Sequence, residues 1–127
     1  MMRWIVATVA GLVLATLPFW RFYAPFAGAS AHMDHAPRHG GQLAMVGDHH
    51  IELVRHRGSV QVFVSDARRR PIRPREGRIV FDQVKSVPLA WRDHRLIAQD
   101  QPDAREIETA VVLHDGTSLT IAFVFSP

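Results

Sequence analysis

Without cysteine, a chain holds a borderline metal ion mainly through imidazole and carboxylate groups, and this chain concentrates them in one stretch. Pro37 to Arg57 reads PRHGGQLAMVGDHHIELVRHR and carries four of the eight histidines. Ile51 and Leu53 alternate with His50 and Glu52, which places an imidazole and a carboxylate on one face of a strand. A preceding strand over Gln42–Val46 joins it through Gly47-Asp48, a favoured short hairpin connection. His39 stands just before that first strand, and Gly40-Gly41 lets the backbone fold it back. One hairpin therefore gathers His39, His50 and Glu52, a ligand set for copper, zinc or a similar ion. The spacing has a plainer reading too. Residues two apart on a strand have Cβ atoms about 7 Å apart, which is ordinary for the exposed face of a half-buried strand.

The run His39-Gly40-Gly41, followed after a short strand by Gly47-Asp48-His49-His50-Ile51-Glu52-Leu53, resembles a small periplasmic β-domain. That domain accompanies the adaptor proteins of heavy-metal efflux systems of the resistance-nodulation-division type, and also occurs alone. The resemblance covers roughly His39 to Val84, and Asp66 to Ile72 (DARRRPI) is similar to the family's turn between strands. It implies periplasmic metal handling, with His39, His50 and Glu52 as the marked positions and an efflux adaptor or pump as partner. The long helical hairpin and lipoyl-like parts of a full adaptor are not in this sequence, so buffering or delivery of metal is implied rather than a transport channel.

Residues 1–31 read as an export signal. Met1-Met2-Arg3 is a short basic end, Trp4 to Trp20 is an almost unbroken apolar run, and Ala27-Gly28-Ala29-Ser30-Ala31 contains two overlapping small-x-small cleavage signals. The competing reading is an uncleaved N-terminal anchor, but Pro18 and Arg21 shorten a run already at the lower limit of a membrane span. Either way the remainder is expected outside the cytoplasm, touching the membrane only through this segment. Removing residues 1–31 from 127 leaves 96, enough for one small domain. Arg3 and Arg21 go with it, so fifteen basic residues become thirteen against twelve acidic ones. The basic character of the whole chain is therefore no nucleic-acid signature. There is no cysteine, so disulfides and thiolate sites are excluded.

Residues 32–40 are expected to be a flexible, histidine-bearing segment. Cleavage after Ala29 would leave Ser30-Ala31-His32, whose amine, amides and imidazole suit Cu(II); cleavage after Ala31 would leave His32 itself at the amino terminus. Met33 adds a thioether and His35 a further imidazole. These three residues are candidate accessory ligands beside His39, against the alternative of a loose tail whose histidines are incidental.

From Gly41 the pattern is short strands and turns. Strands are expected at Gln42–Val46, His49–Arg55, Ser59–Ser65, Arg78–Val84, Val87–Trp91, Leu96–Gln99, Glu106–Leu113 and Ser118–Phe125, the last pair around Asp115-Gly116. Asp66–Arg75 reads as a basic loop punctuated by Pro71 and Pro74. No segment here carries a helical period over ten residues. The expected fold is all-β, a small antiparallel sandwich or barrel over residues 41–127 following the signal helix. The inward set by alternation is Ile51, Leu53, Val60, Val62, Val64, Ile79, Phe81, Leu89, Trp91, Val111, Leu113, Leu119, Ile121 and Phe123.

The other histidines read as surface or edge residues: His49 beside a turn, His56 too far along its strand, His94 and His114 in or before turns. Met45 reads as strand filling. Arg68-Arg69-Arg70 with Arg73, Arg75 and Arg78 reads as a solvated loop guarding a sheet edge, or as a surface for anionic headgroups or an acidic partner. No serine sits on a strand-to-helix elbow and no His-Glu-x-x-His occurs, so catalysis is not expected. Two functions follow: a periplasmic metal-binding protein that buffers copper, zinc or a similar ion or delivers it to an efflux system, or a non-catalytic interaction domain of an exported complex with incidental histidines.

Overall fold

The computed structural model of the protein describes residues 34–126. The expected export signal over residues 1–31, and the candidate ligands His32 and Met33, lie outside the described residues. From His35 onward the chain is one compact unit. The described residues hold no helix.

Alternation explains the strands. In β3 (Ser59–Ser65), Val60, Val62 and Val64 are buried while Gln61, Phe63 and Ser65 are half-buried on the other face. The same period runs through β9 (Glu106–Val112), where Ile107, Thr109 and Val111 point inward. β1 (Gln42–Val46), β2 (His49–His56), β3, β8 (Arg95–Gln99) and β7 (Ala90–Arg92) lie side by side in that order as one antiparallel sheet, and the two-residue β4 (Pro71–Ile72) pairs with the end of β3. A second antiparallel sheet runs β10 (Ser118–Val124), β9, β5 (Glu76–Phe81), β6 (Lys85–Pro88). Of the expected antiparallel sandwich or barrel, the observed fold is all-β and sandwich-like, with two antiparallel sheets. The first and second strands and the β9–β10 hairpin fall within a residue of their expected bounds.

The departures have local causes. The expected single strand Val87–Trp91 is two: β6 pairs with β5 in one sheet, and after Leu89 the chain enters β7, which pairs with β8 in the other. Gly77 permits this crossing. Its carbonyl accepts the amide of Leu89 at 2.9 Å, and a Cβ there would press on Leu89, Leu96 and Val111 at 3.1–3.2 Å. On the opposite side β1 lies alongside β10, and the Gln42 side chain reaches the Val124 carbonyl at 3.4 Å. β4 was expected to be loop, since Pro71 donates no ladder bond; as a two-residue edge strand it needs few.

The core takes eleven of the expected inward residues, from Ile51 and Leu53 to Phe123, and adds Leu96, Ala98, Ala104 and Ile107. Leu89, Trp91 and Ile121 are only half-buried and pack against its rim. Ala104 is fixed by Arg55, whose guanidinium grips the Asp100 carboxylate with two nitrogens and donates to the Ala104 carbonyl at 2.9 Å and to the Gln101 carbonyl. One side chain thereby ties β2 to the whole 100–104 turn.

Candidate functional site

Both faces of β2 are covered. Ile51 and Leu53 enter the core, as alternation requires, yet His50 and Glu52 on the opposite face are equally buried, each 2 % exposed. Ladder register places Met45 and Ser65 beside His50, and Leu43 and Phe63 beside Glu52. A strap formed by residues 36–41 and a tight turn over Asp66–Arg70 lie over this patch.

Glu52 anchors the strap. Its Oε1 accepts the amides of His39 at 2.8 Å and Gly41 at 3.1 Å; its Oε2 accepts the amide of Arg38 at 3.1 Å and Nδ1–H of His39 at 2.8 Å. Burial pushes the carboxyl up, but the His39 ring and the three amides outweigh it and leave Glu52 below its ordinary range. Gly41 makes the close approach possible: a Cβ there would sit 2.2 Å from the Leu53 carbonyl oxygen. The His39 ring lies flat on Phe63, 3.6 Å between centroids and 4° between planes, and stays 45 % exposed.

The turn is built by Asp66, whose side chain accepts the amides of Arg68 and Arg70 and the Nε of Arg70. These donors hold its carboxyl below the ordinary range. The turn buries Arg69 instead of leaving it solvated with its neighbours, correcting the expectation of a wholly solvated arginine loop. Arg69 donates to the Ala36 carbonyl at 3.0 Å while Arg38 donates to the Arg69 carbonyl at 3.3 Å, so strap and turn hold each other.

His50 is locked beneath them. A carbonyl oxygen only accepts, so the 3.0 Å contact between His50 Nδ1 and the Asp66 carbonyl puts a proton on Nδ1. In the neutral ring Nε2 then carries the lone pair. That nitrogen is buried and has no hydrogen-bond partner among the described residues. The His35 ring stands 6.0 Å away between centroids, tilted by 38°.

The expected ligands are placed as follows. His39, His50 and Glu52 do share one face of the hairpin, but Glu52 has an acceptor position filled by each of four donors, and it binds the strap. Among the described residues no group of three or more His, Cys, Asp or Glu side chains is arranged around one point. His35, expected as an accessory ligand, has its ring beside that of His50. His49 is half-buried at the strand start, and His56, His94 and His114 are exposed, as expected. Sequence reasoning missed the burial of His50 and the part played by Asp66 and Arg69, because no local pattern marks a strap folding over a strand's outer face.

Comparison of the chain with protein-family models, with curated proteins and with solved structures finds no match.

Proposed function

We propose that the protein binds a metal ion outside the cytoplasm, buffering it or delivering it to an efflux system, through the imidazoles of His50 and His35. The carrying observation is the buried Nε2 of His50, which has no hydrogen-bond partner among the described residues. A buried acceptor left without a donor costs roughly 1–3 kcal/mol, and a metal ion offers that lone pair a partner. The Nδ1–H bond to a carbonyl is also what orients metal-bound imidazoles elsewhere. Two imidazoles sharing an ion at about 2.0–2.1 Å from each nitrogen have ring centroids roughly 5–6.5 Å apart, and the 6.0 Å spacing to His35 falls in that range.

Copper in its cuprous state suits this donor set best. With Glu52 occupied by the strap, the pair offers two neutral nitrogens, and a dication buried between them would keep its full charge. A monovalent, soft ion that accepts low coordination fits better, and the thioether of Met33 and the ring of His32 are close by in sequence to complete the shell. The exported location rests on the N-terminal signal pattern, and the efflux partner on the resemblance of the HGG…HHIE stretch.

The test is an anaerobic titration of the protein with Cu(I) against a chromophoric competitor, repeated with Zn(II). One equivalent of Cu(I) is expected. His50→Ala and His35→Ala should each weaken it at least about tenfold, while His94→Ala and His114→Ala leave it unchanged. Undiminished Cu(I) affinity in the double variant His35→Ala, His50→Ala removes this reading. The domain would then be better read as an interaction module with incidental histidines.

A further inference from the structure

A second feature lies apart from the His35–His50 pair. β3 changes neighbours along its length: β8 covers it from Ser59 to Val62, and β4 takes over at Val64 and Ser65. Between the departing β7–β8 hairpin and β4 a cleft of about 470 Å3 opens, within the range of roughly 300–1,000 Å3 that holds small organic ligands. Its lining is mostly apolar and includes Phe63, Ile72 and Trp91, and the arginines Arg38, Arg69 and Arg95 contribute to it as well. Of its two carboxylates, Glu52 is turned into the strap by four donors, which leaves Asp93. Outside this lining, Arg73 lies over the Trp91 ring at 5.2 Å. Arg95 is held in place by donating to Gln61 Oε1 at 3.0 Å and to the Asp93 carbonyl at 3.3 Å.

We propose that this cleft binds an amphipathic organic anion, an aromatic or aliphatic body carrying one carboxylate. The body rests against Phe63, Ile72 and Trp91, where it removes half-exposed apolar surface from water. The carboxylate meets guanidinium groups, whose planar forks match it in geometry as well as charge. A cation of the same shape would face the charges of three arginines with only the Asp93 carboxylate to offset them, and binds more weakly. An inorganic anion would gain the charge contact but leave the apolar walls wet.

The probe pair is 4-phenylbutyrate and 4-phenylbutylamine, identical in body and opposite in charge, with inorganic phosphate as the head alone. Binding to the full chain is read by calorimetry and by the indole N–H resonance of Trp91, identified by its loss in Trp91→Phe. Phenylbutyrate should bind saturably and move that resonance, with the amine and phosphate at least about tenfold weaker. Arg95→Gln should weaken phenylbutyrate about tenfold. Ile72→Asp, at a half-buried edge position, should abolish binding, and a retained melting temperature shows that the fold survives. Equal affinity for acid and amine, phosphate binding as tightly as phenylbutyrate, or no saturable binding of phenylbutyrate overturns the proposal. Copper titration of the same samples is a separate readout, so either reading can fail without the other.

Discussion

His39 and Glu52, thirteen residues apart, are bonded to each other: Nδ1 of the first donates to Oε2 of the second over 2.8 Å. Both residue types invite a reading as ligands of one ion. Their direct bond, with three strap amides converging on the same carboxylate, gives Glu52 a structural task instead. It fastens the strap to the face of β2 that also carries His50.

Glu52→Gln is expected to release the strap. The amide NH2 that replaces one oxygen cannot accept, so at least two buried or half-buried donors lose their partner, at a cost of about 2–4 kcal/mol. Hydrogen exchange at the amides of Arg38, His39 and Gly41 should accelerate while the strand amides of β9 remain protected. Unchanged protection at those three amides would show that the carboxylate does not hold the strap.

The same carboxylate predicts an acid limit. Its folded value lies below the ordinary 4.5, so its contribution to stability is fully present above the unfolded value. That contribution disappears as pH falls through the lower folded one. Strap protection measured between about pH 6 and pH 3 should therefore hold to below 4.5 and then collapse, and the Glu52→Gln variant should lack this transition.

Gly41→Ala should be destabilising out of proportion to one methyl group. The added carbon would meet the Leu53 carbonyl oxygen at 2.2 Å, a backbone atom of a central strand that cannot step aside. The expected outcome is displacement of the strap, seen as a loss of the His39–Phe63 ring-current shift together with a melting temperature lowered by several degrees, for a cost of about 1–3 kcal/mol. Gly40→Ala provides a contrast: it has open space around it and is strained only by its φ of 78°.

Arg55→Leu should cost about 1–3 kcal/mol, because it leaves partly buried acceptors without their donor. The Asp100 carboxylate, at 10 % side-chain exposure, would lose its partner, and the carbonyls of Gln101 and Ala104 would lose their donor. Chemical denaturation of the variant is the measurement. A change below about 1 kcal/mol would place this pair with ordinary surface bridges.

Much of the fold is legible in the residues alone. Period-two alternation places Val60, Val62, Val64, Val111 and Leu119 inward without reference to any partner strand, and Gly47-Asp48, Arg57-Gly58 and Asp115-Gly116 mark reversals because Gly47, Gly58 and Gly116 take the positive φ the turns need. These are local signals, set by backbone sterics and by which face a side chain occupies. They also bring His50 and Glu52 to one face. What alternation cannot say is whether that face meets water. That was decided by the strap and the Asp66–Arg70 turn, segments 14 and 16 residues from Glu52 and His50 in sequence. They fold back because a buried carboxylate and a buried imidazole each need partners, which only tertiary contact supplies. The split of Val87–Trp91 between two sheets and the cleft beside β3 have the same origin. Both depend on which strand stands next to which, and hydrogen-bond pairing over long separations leaves no periodic trace in the chain.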